Sequence, residues 1–299
     1  MTLADGLKML RPHQWSKNVL TLIPVIAAGR WADAPSWAAA AIAFAAFSLI
    51  ASSGYVLNDL KDVKEDREHP AKQHRPIAAG KVGRGAATSV GIVLAALALG
   101  LASLAGRALA EVVLVYFVAT LVYTAILRQY FLADAMAIAG LFTLRIVGGC
   151  AAIGVRPSIW LLSLTMFVFF SLALTKRYRE LALNAEAPAR RSARDYGSRD
   201  MDLIRSLGLT SATVAALVVA LYLESARALE GYKEPGWLWF ACPVIWYWLI
   251  RIWSKCDRGE LDEDPVLYAL KDRGSWVCLA AIIMCWLAAV LGLPSLIGR

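Results

Sequence analysis

At 299 residues, 59% of them hydrophobic and with a mean hydropathy of +0.56, the chain is too apolar for a soluble domain of its size and reads as an all-α polytopic membrane protein. A net charge of +8 in such a chain points to membrane topology, lipid headgroups or an anionic substrate, and argues against nucleic acid as a partner. The five cysteines are scattered and include no CxxC, which excludes a disulfide framework or a zinc site, and no small-residue cleavage site follows a short apolar core, so no removable signal peptide is expected.

The chain opens on a basic amphipathic stretch, Leu3 to Trp15, suited to lie along the membrane surface. Nine apolar spans are expected, at about 17–29, 36–57, 86–106, 109–127, 131–153, 158–176, 205–224, 236–251 and 275–293. Several approach the ~20 residues that cross a bilayer core, whereas the first is short and holds Pro24. With the N-terminus inside, segments 1–18, 58–85, 127–131, 176–205 and 251–274 are cytoplasmic and hold 24 of the 31 Lys and Arg, against six outside. By the positive-inside rule the N-terminus is cytoplasmic and the C-terminus outside. The expectation is a single transmembrane domain over 1–299, multi-pass in a bacterial inner (plasma) membrane. The long loops 58–85, 176–205 and 251–274 form a polar cap over an active site that faces the cytoplasm.

The second span ends in Asn58-Asp-Leu-Lys-Asp-Val-Lys-Glu-Asp66. At 100° per residue, Asn58, Asp62 and Asp66 share one helical face, Asp59 lies at its edge, Glu65 falls near it, and Lys61 and Lys64 point away. Hard oxygen ligands on one face suit Mg²⁺, which takes one or two carboxylates together with substrate phosphates. Arg67, His69, Lys72, His74 and Arg75 follow, and Lys or Arg beside a metal-binding face suits a diphosphate. The same bases also suit lipid headgroups.

Further candidates lie along the chain. Lys17, at the mouth of the first span, can snorkel to headgroups or reach a bound phosphate. Arg145 lies inside a span, which marks it as functional or as half of an ion pair with one of the few acids near span ends, Glu111, Asp134 and Glu224. The sixth span ends in Lys176-Arg177-Tyr178-Arg-Glu180-Leu, where Lys176 and Glu180 read equally as a surface pair at i,i+4. Arg190, Arg191, Arg194, Asp195 and Tyr196 follow it. Of the acids and bases between the last two spans (Asp257, Asp262, Glu263, Asp264, Lys271, Asp272, Arg273), Asp272 and Arg273 at the mouth of the ninth are the functional candidates.

Asn58-Asp59-x-x-Asp62-x-x-x-Asp66 followed by Arg75-Pro76 and Gly80 resembles the first aspartate-rich motif of the UbiA-type membrane prenyltransferases. That resemblance implies a bundle of nine transmembrane helices, Mg²⁺ and diphosphate substrates. The aromatic members carry a second DxxxD motif after the sixth span, where this chain has Lys176-Arg-Tyr-Arg-Glu-Leu. Arg11-Pro-His-Gln-Trp-Ser-Lys17, Asp66-Arg-Glu-His-Pro70, Arg75-Pro-Ile-Ala-Ala-Gly80, Lys176-Arg-Tyr-x-Glu-Leu181 and Ala269-Leu-Lys-Asp-Arg273 are instead similar to the phosphoribosyltransferase branch that acts on decaprenyl phosphate.

The resemblance implies a Mg²⁺-dependent transfer of 5-phosphoribose from 5-phosphoribosyl-1-diphosphate to a polyprenyl phosphate in the bilayer, for arabinose-donor or cell-envelope synthesis. Asn58, Asp59, Asp62 and Asp66 are then the metal residues, with the three aspartates catalytic, and Asp59 is either a ligand or the residue that orients one. Lys17, Arg67, Lys72, Arg75, Arg145, Lys176, Arg177, Tyr178, Glu180, Asp272 and Arg273 are the substrate-binding set. Prenyl transfer to an aromatic acid or quinone precursor is the alternative, a transporter or lipid-binding scaffold a third reading, and homo-oligomer formation stays open.

Overall fold

A computed structural model of the chain describes residues 3–68, 70, 72–186, 197–225, 231–261 and 264–294. Every regular element among them is helical. Seven helices among the described residues are long and apolar enough to cross a membrane, within α3 (Ala34–Lys61), α5 (Arg84–Ala105), α6 (Arg107–Ala125), α7 (Ala133–Ala152), α8 (Ile159–Glu186), α9 (Met201–Leu223) and α12 (Arg273–Leu291). They coincide with seven of the nine expected spans.

The other two stretches are built differently. The first is a 3₁₀ helix, Pro12–Leu22, that runs into a five-residue α2, Ile23–Ala27. The other is a 3₁₀ turn, Pro235–Phe240, leading into the 17-residue α10, Ala241–Asp257. Pro12, Pro24 and Pro235 each stand in the first turn of an element, where the missing N–H is tolerated, so each restarts the helix rather than continuing it. The amphipathic start also ends early: α1, Leu3–Leu10, stops at Arg11, whose backbone is left-handed (φ 52°, ψ 59°).

The chain forms two compact units. The first comprises Met1–Leu127 with Leu141–Pro157. Its core is α3 against α5 and α6, where Phe47 and Ile50 meet Ala98, Ala102, Leu109, Val113 and Tyr116. Small residues at Ala40, Ala43 and Ala46 bring the helices close, which is how packing substitutes for the missing hydrophobic drive inside lipid. Gly149 on α7 is such a contact: a Cβ there would collide with the Thr21 carbonyl and the Pro24 ring, so glycine lets α7 lie against the N-terminal segment.

The second unit comprises Arg128–Gly140 with Ser158–Arg299. Leu172 and Leu174 of α8, Ala212 and Ala215 of α9, and Leu249, Ile252 and Trp253 of α10 form its core. Trp253 lies over Gly208, where a Cβ would strike the indole, and the indole N–H donates to Ser171 at 3.0 Å. Leu97 and Leu104 on α5, and Val277, Met284 and Leu291 on α12, are exposed apolar side chains of the kind a lipid-facing helix presents.

Candidate active site

In the first unit the polar side of α3 is a stripe at helical spacing, Ser48, Ser52, Tyr55 and Asp59, and the N-terminal segment is laid along it. Asn18 Nδ2 donates to Ser48 Oγ and Trp15 Nε1 to Ser52 Oγ, each at 3.0 Å. The Ser52 hydroxyl donates to the Leu10 carbonyl at 2.8 Å. Arg11 sits over the Tyr55 ring (5.1 Å to the centroid) and its Nη2 reaches Asp59 Oδ1 at 2.5 Å. The left-handed backbone at Arg11, uncommon outside glycine, turns the chain from α1 into the 3₁₀ segment at that point.

α3 ends at Lys61, and Asp62 bends the chain before α4, Val63–Glu68. The i,i+4 ladder survives the bend: Asp62 N–H donates to Asn58 O at 2.9 Å and Asp66 N–H to Asp62 O at 2.8 Å. Asn58, Asp62 and Asp66 therefore keep the spacing expected from sequence. Lys61 does turn away, onto the Thr124 carbonyl at 2.8 Å, while Lys64 and Glu65 are exposed.

Asp59 is 3% and Asp66 2% exposed. A single nitrogen, Arg75 Nη1, lies 3.0 Å from Asp59 Oδ1 and 2.7 Å from Asp66 Oδ2, so both carboxylates face one cationic point. Asn58 and Asp62 are half-buried and each has interactions of its own. Arg67 is exposed and its Nε donates to Ala78 O at 3.1 Å, which braces the turn that carries Arg75. Lys72 is half-buried on the same turn, and its carbonyl accepts from Arg75 N–H at 2.9 Å.

No three His, Cys, Asp or Glu side chains among the described residues converge as a ready-made metal cage. The donor chemistry nevertheless suits a hard divalent cation: the oxygens come from Asn58, Asp62 and Asp66, and two buried carboxylates already meet at a positive charge.

Arg145 is 4% exposed, and no carboxylate pairs with it among the described residues. Nε donates to Asn18 Oδ1 (2.7 Å), Nη1 to the Leu141 carbonyl and Nη2 to the Tyr116 hydroxyl (both 2.8 Å). The guanidinium also lies 4.9 and 5.0 Å from the Tyr116 and Phe142 ring centroids. Lys17 is half-buried with Nζ 6.0 Å from the Phe142 centroid, so the two cations share that ring.

In the second unit the basic cluster at the end of α8 meets acids from distant parts of the chain. Arg177, 2% exposed, pairs through Nε with Asp134, which is fully buried, and through Nη1 with Glu180, each at 2.5 Å. Lys176 Nζ lies 3.1 Å from Asp264 Oδ2, not on Glu180 as i,i+4 spacing allows. The Tyr178 hydroxyl donates to Asp257 at 2.8 Å. Arg179, absent from the sequence candidates, donates to the Leu261 and Gly259 carbonyls at 3.0 and 3.1 Å. α8 thus holds Gly259, Leu261 and Asp264, which lie between α10 and α11, Pro265–Lys271.

Asp272 caps α12 through the Ser275 N–H (2.7 Å) and is gripped by both ends of the Arg251 guanidinium (2.5 and 3.0 Å). The Arg251 guanidinium, and after it Ser275, hold the Asp272 carboxyl well below the usual carboxylate range against the opposing effect of burial. Arg273 beside it is exposed. His69, Arg190, Arg191, Arg194, Asp195, Tyr196, Asp262 and Glu263 lie outside the described residues.

Sequence reasoning missed Arg11, Arg179 and Arg251 as pairing residues. Arg11 carries a signal in hindsight, since it opens the Arg-Pro-His-Gln-Trp-Ser-Lys stretch. The other two are ordinary helix arginines until their distant partners are known.

Residues 19–273 match the model of the UbiA prenyltransferase family. The chain is 37% identical over 289 residues to the Sinorhizobium fredii protein named "Uncharacterized protein y4nM", covering 96% of this chain but 56% of that protein. It is 31% identical to "Nodulation protein NoeC" of Azorhizobium caulinodans (92% of this chain, 89% of that protein). It is 34% identical to the decaprenyl-phosphate phosphoribosyltransferase of Corynebacterium glutamicum (98% and 89%). Among solved structures, a UbiA homolog from Archaeoglobus fulgidus bound to GPP and Mg²⁺ superposes with a TM-score of 0.69 at 15% identity, over 94% of this chain and 99% of that one, which shows a shared fold. A family match across most of the length, relatives above 30% identity over nearly the whole chain, and an aspartate-rich α3 terminus in an all-helical membrane fold agree: the chain belongs to the UbiA prenyltransferase family.

Proposed function

We propose that the chain transfers 5-phosphoribose from 5-phosphoribosyl-1-diphosphate to a polyprenyl phosphate of the decaprenyl type, releasing diphosphate, with Mg²⁺. The observation that carries this reading is the pair of buried aspartates, Asp59 and Asp66, meeting at one cationic point with Arg75 and Arg11 beside it. A site that alternates carboxylate and guanidinium suits a metal–diphosphate group. The choice of a phosphoribosyl donor over a prenyl diphosphate is supported by the similarity to the Corynebacterium glutamicum phosphoribosyltransferase along 98% of this chain, and by bases where the aromatic members have acids.

An oxygen of the lipid phosphate forms the new bond to C1 of the ribose, while the C1–O bond to diphosphate breaks and its electron pair leaves with the diphosphate. The nucleophile is already anionic, so no general base is needed. Asn58, Asp62 and Asp66 would hold the metal, whose charge would offset the negative charge gathering on the leaving group. Asp59, which shares the Arg75 nitrogen with Asp66 and is also held by Arg11, would join the metal's ligands or orient one of them. Arg75, Lys72 and Arg67 are donors toward the phosphates of the sugar substrate. Lys17 and Arg145 are proposed to favour an anionic group near the first span, since Arg145 brings a buried positive charge that is hydrogen-bonded, among the described residues, by neutral groups.

In the second unit Lys176, Tyr178 and Arg273 are proposed phosphate contacts. Arg177, Glu180 and Asp272 are committed to ion pairs, which favours a positioning role for them. The protein is proposed to cross the bacterial inner membrane nine times as one transmembrane domain, N-terminus inside and C-terminus outside, with its polar face in the cytoplasm. A polyprenyl-linked phosphoribose suits synthesis of an arabinose donor, for the cell envelope or another arabinosylated product.

Purified protein given labelled phosphoribosyl diphosphate, Mg²⁺ and decaprenyl phosphate is expected to move label into the lipid phase. No lipid product there, with product instead from a prenyl diphosphate and 4-hydroxybenzoate, overturns the reading in favour of aromatic prenylation. Asp62→Asn, at a half-buried position, is expected to cut turnover by about 10²-fold or more with an unchanged melting temperature.

A further inference from the structure

Two carboxylates that are 97% or more buried cannot stand side by side without a counter-charge, because desolvation of an unpaired carboxylate costs several kcal/mol. In this structure the counter-charge between Asp59 and Asp66 is a part of the chain itself, Arg75 Nη1. The backbone that carries it is pinned. Arg75 N–H donates to Lys72 O at 2.9 Å, and Arg75 O accepts from Ala79 N–H at 2.8 Å. Val82 N–H donates to Pro76 O at 3.1 Å, while Ile77, Ala78 and Val82 are buried. The side chain is the freer part, with 25% of its surface exposed against 3% for each aspartate it bridges. A guanidinium on a fixed turn can therefore swing while the turn stays. Asp59 does not lose its neutralisation when that happens, because Arg11 holds the same Oδ1 from another element. Among the described residues no second cation pairs with Asp66, so it is the carboxylate that Arg75 would release.

From this geometry we infer that Arg75 is a tethered stand-in for the metal. It fills the point between the two aspartates until a metal–diphosphate pair arrives, then leaves Asp66 for the diphosphate oxygens and yields the point to the ion. The inference rests on the proposed diphosphate chemistry of this site and deepens it by setting the order of binding. A free divalent ion has to displace an intramolecular cation, whereas an ion that arrives with diphosphate gives the displaced guanidinium a new anionic partner. Metal and diphosphate therefore bind as a coupled pair, and Arg75 is the source of the coupling.

Mn²⁺ binding followed by electron paramagnetic resonance on the detergent-solubilised full chain tests this, with inorganic diphosphate as the probe. Wild type is expected to bind Mn²⁺ alone weakly, and about tenfold or more tightly with diphosphate present. Arg75→Gln is expected to bind Mn²⁺ alone several-fold more tightly than wild type and to lose most of the gain from diphosphate, whereas Arg75→Lys, which keeps a charge, retains the wild-type order. Two outcomes overturn the stand-in while leaving the metal site intact: wild type binding Mn²⁺ equally well with and without diphosphate, or Arg75→Gln binding Mn²⁺ alone no better than wild type. The first needs no variant and so decides the matter even if Arg75→Gln does not fold. Wild type that binds no Mn²⁺ even with diphosphate, or an Asp66→Asn variant that binds it as wild type does, overturns the metal reading itself.

Discussion

Asp134 and Arg145 are charged residues eleven positions apart in α7, and sequence alone allows them to be read as partners. The structure separates them. Asp134 belongs to Arg177, and Arg145 is met by an amide oxygen, a carbonyl, a phenol and two rings. The difference matters energetically. Neutral acceptors satisfy the guanidinium's N–H groups but leave its charge in place, so Arg145 keeps a positive field inside the helix bundle, whereas Arg177 is neutralised twice. Asp134→Asn removes a buried carboxylate that pairs with Arg177 and is expected to cost about 3–5 kcal/mol, toward the lower end because Glu180 still pairs with it. A melting curve in detergent measures it, and a variant as stable as wild type shows the buried pair to be dispensable.

Among the elements, the ends of the helices carry more of the polar chemistry than their middles. Asp33, Asp264 and Asp272 each cap a helix with a side-chain oxygen, and the last two also meet a cation brought by another helix. Asp272 gives this a pH signature. Its carboxyl is held below its ordinary value in the folded chain, so its contribution is complete above the unfolded carboxylate value of about 3.9 and fades as pH falls through the lower, folded one. Between pH 5 and pH 3 the wild-type melting temperature is expected to fall more steeply than that of Asp272→Asn, which is less stable at neutral pH but lacks this component. Parallel curves assign the acid sensitivity elsewhere.

The ends are also where the sequence was least explicit. The spacing of Asn58, Asp62 and Asp66 was readable because an i,i+4 ladder is local, and it held across the break at Asp62. Arg11 meeting Asp59, 48 residues away, was not readable, since the motif that Arg11 opens marks the residue but does not name its partner.

For the whole molecule the strongest claim from charge alone is orientation, and it is open to a direct check. In a background with the native cysteines replaced, cysteine introduced at exposed Arg156 is expected to react with an impermeant maleimide on intact cells, and cysteine at exposed Lys81 only after the membrane is opened. The reverse pattern overturns a cytoplasmic N-terminus. The sequence by itself determined the class of molecule, the family, the acidic spacing at the end of α3 and nine apolar stretches, seven of which the structure shows as long apolar helices among the described residues. Hydropathy, length and helical spacing are properties of neighbours along the chain, and neighbours are visible without a fold. Only the tertiary structure decided which charge answers which: Arg75 bridging Asp59 and Asp66, Asp134 on Arg177, Lys176 on Asp264 rather than Glu180. Pairing of buried charges is settled by which helices pack together, and a carboxylate taken out of water accepts whatever cation that packing delivers.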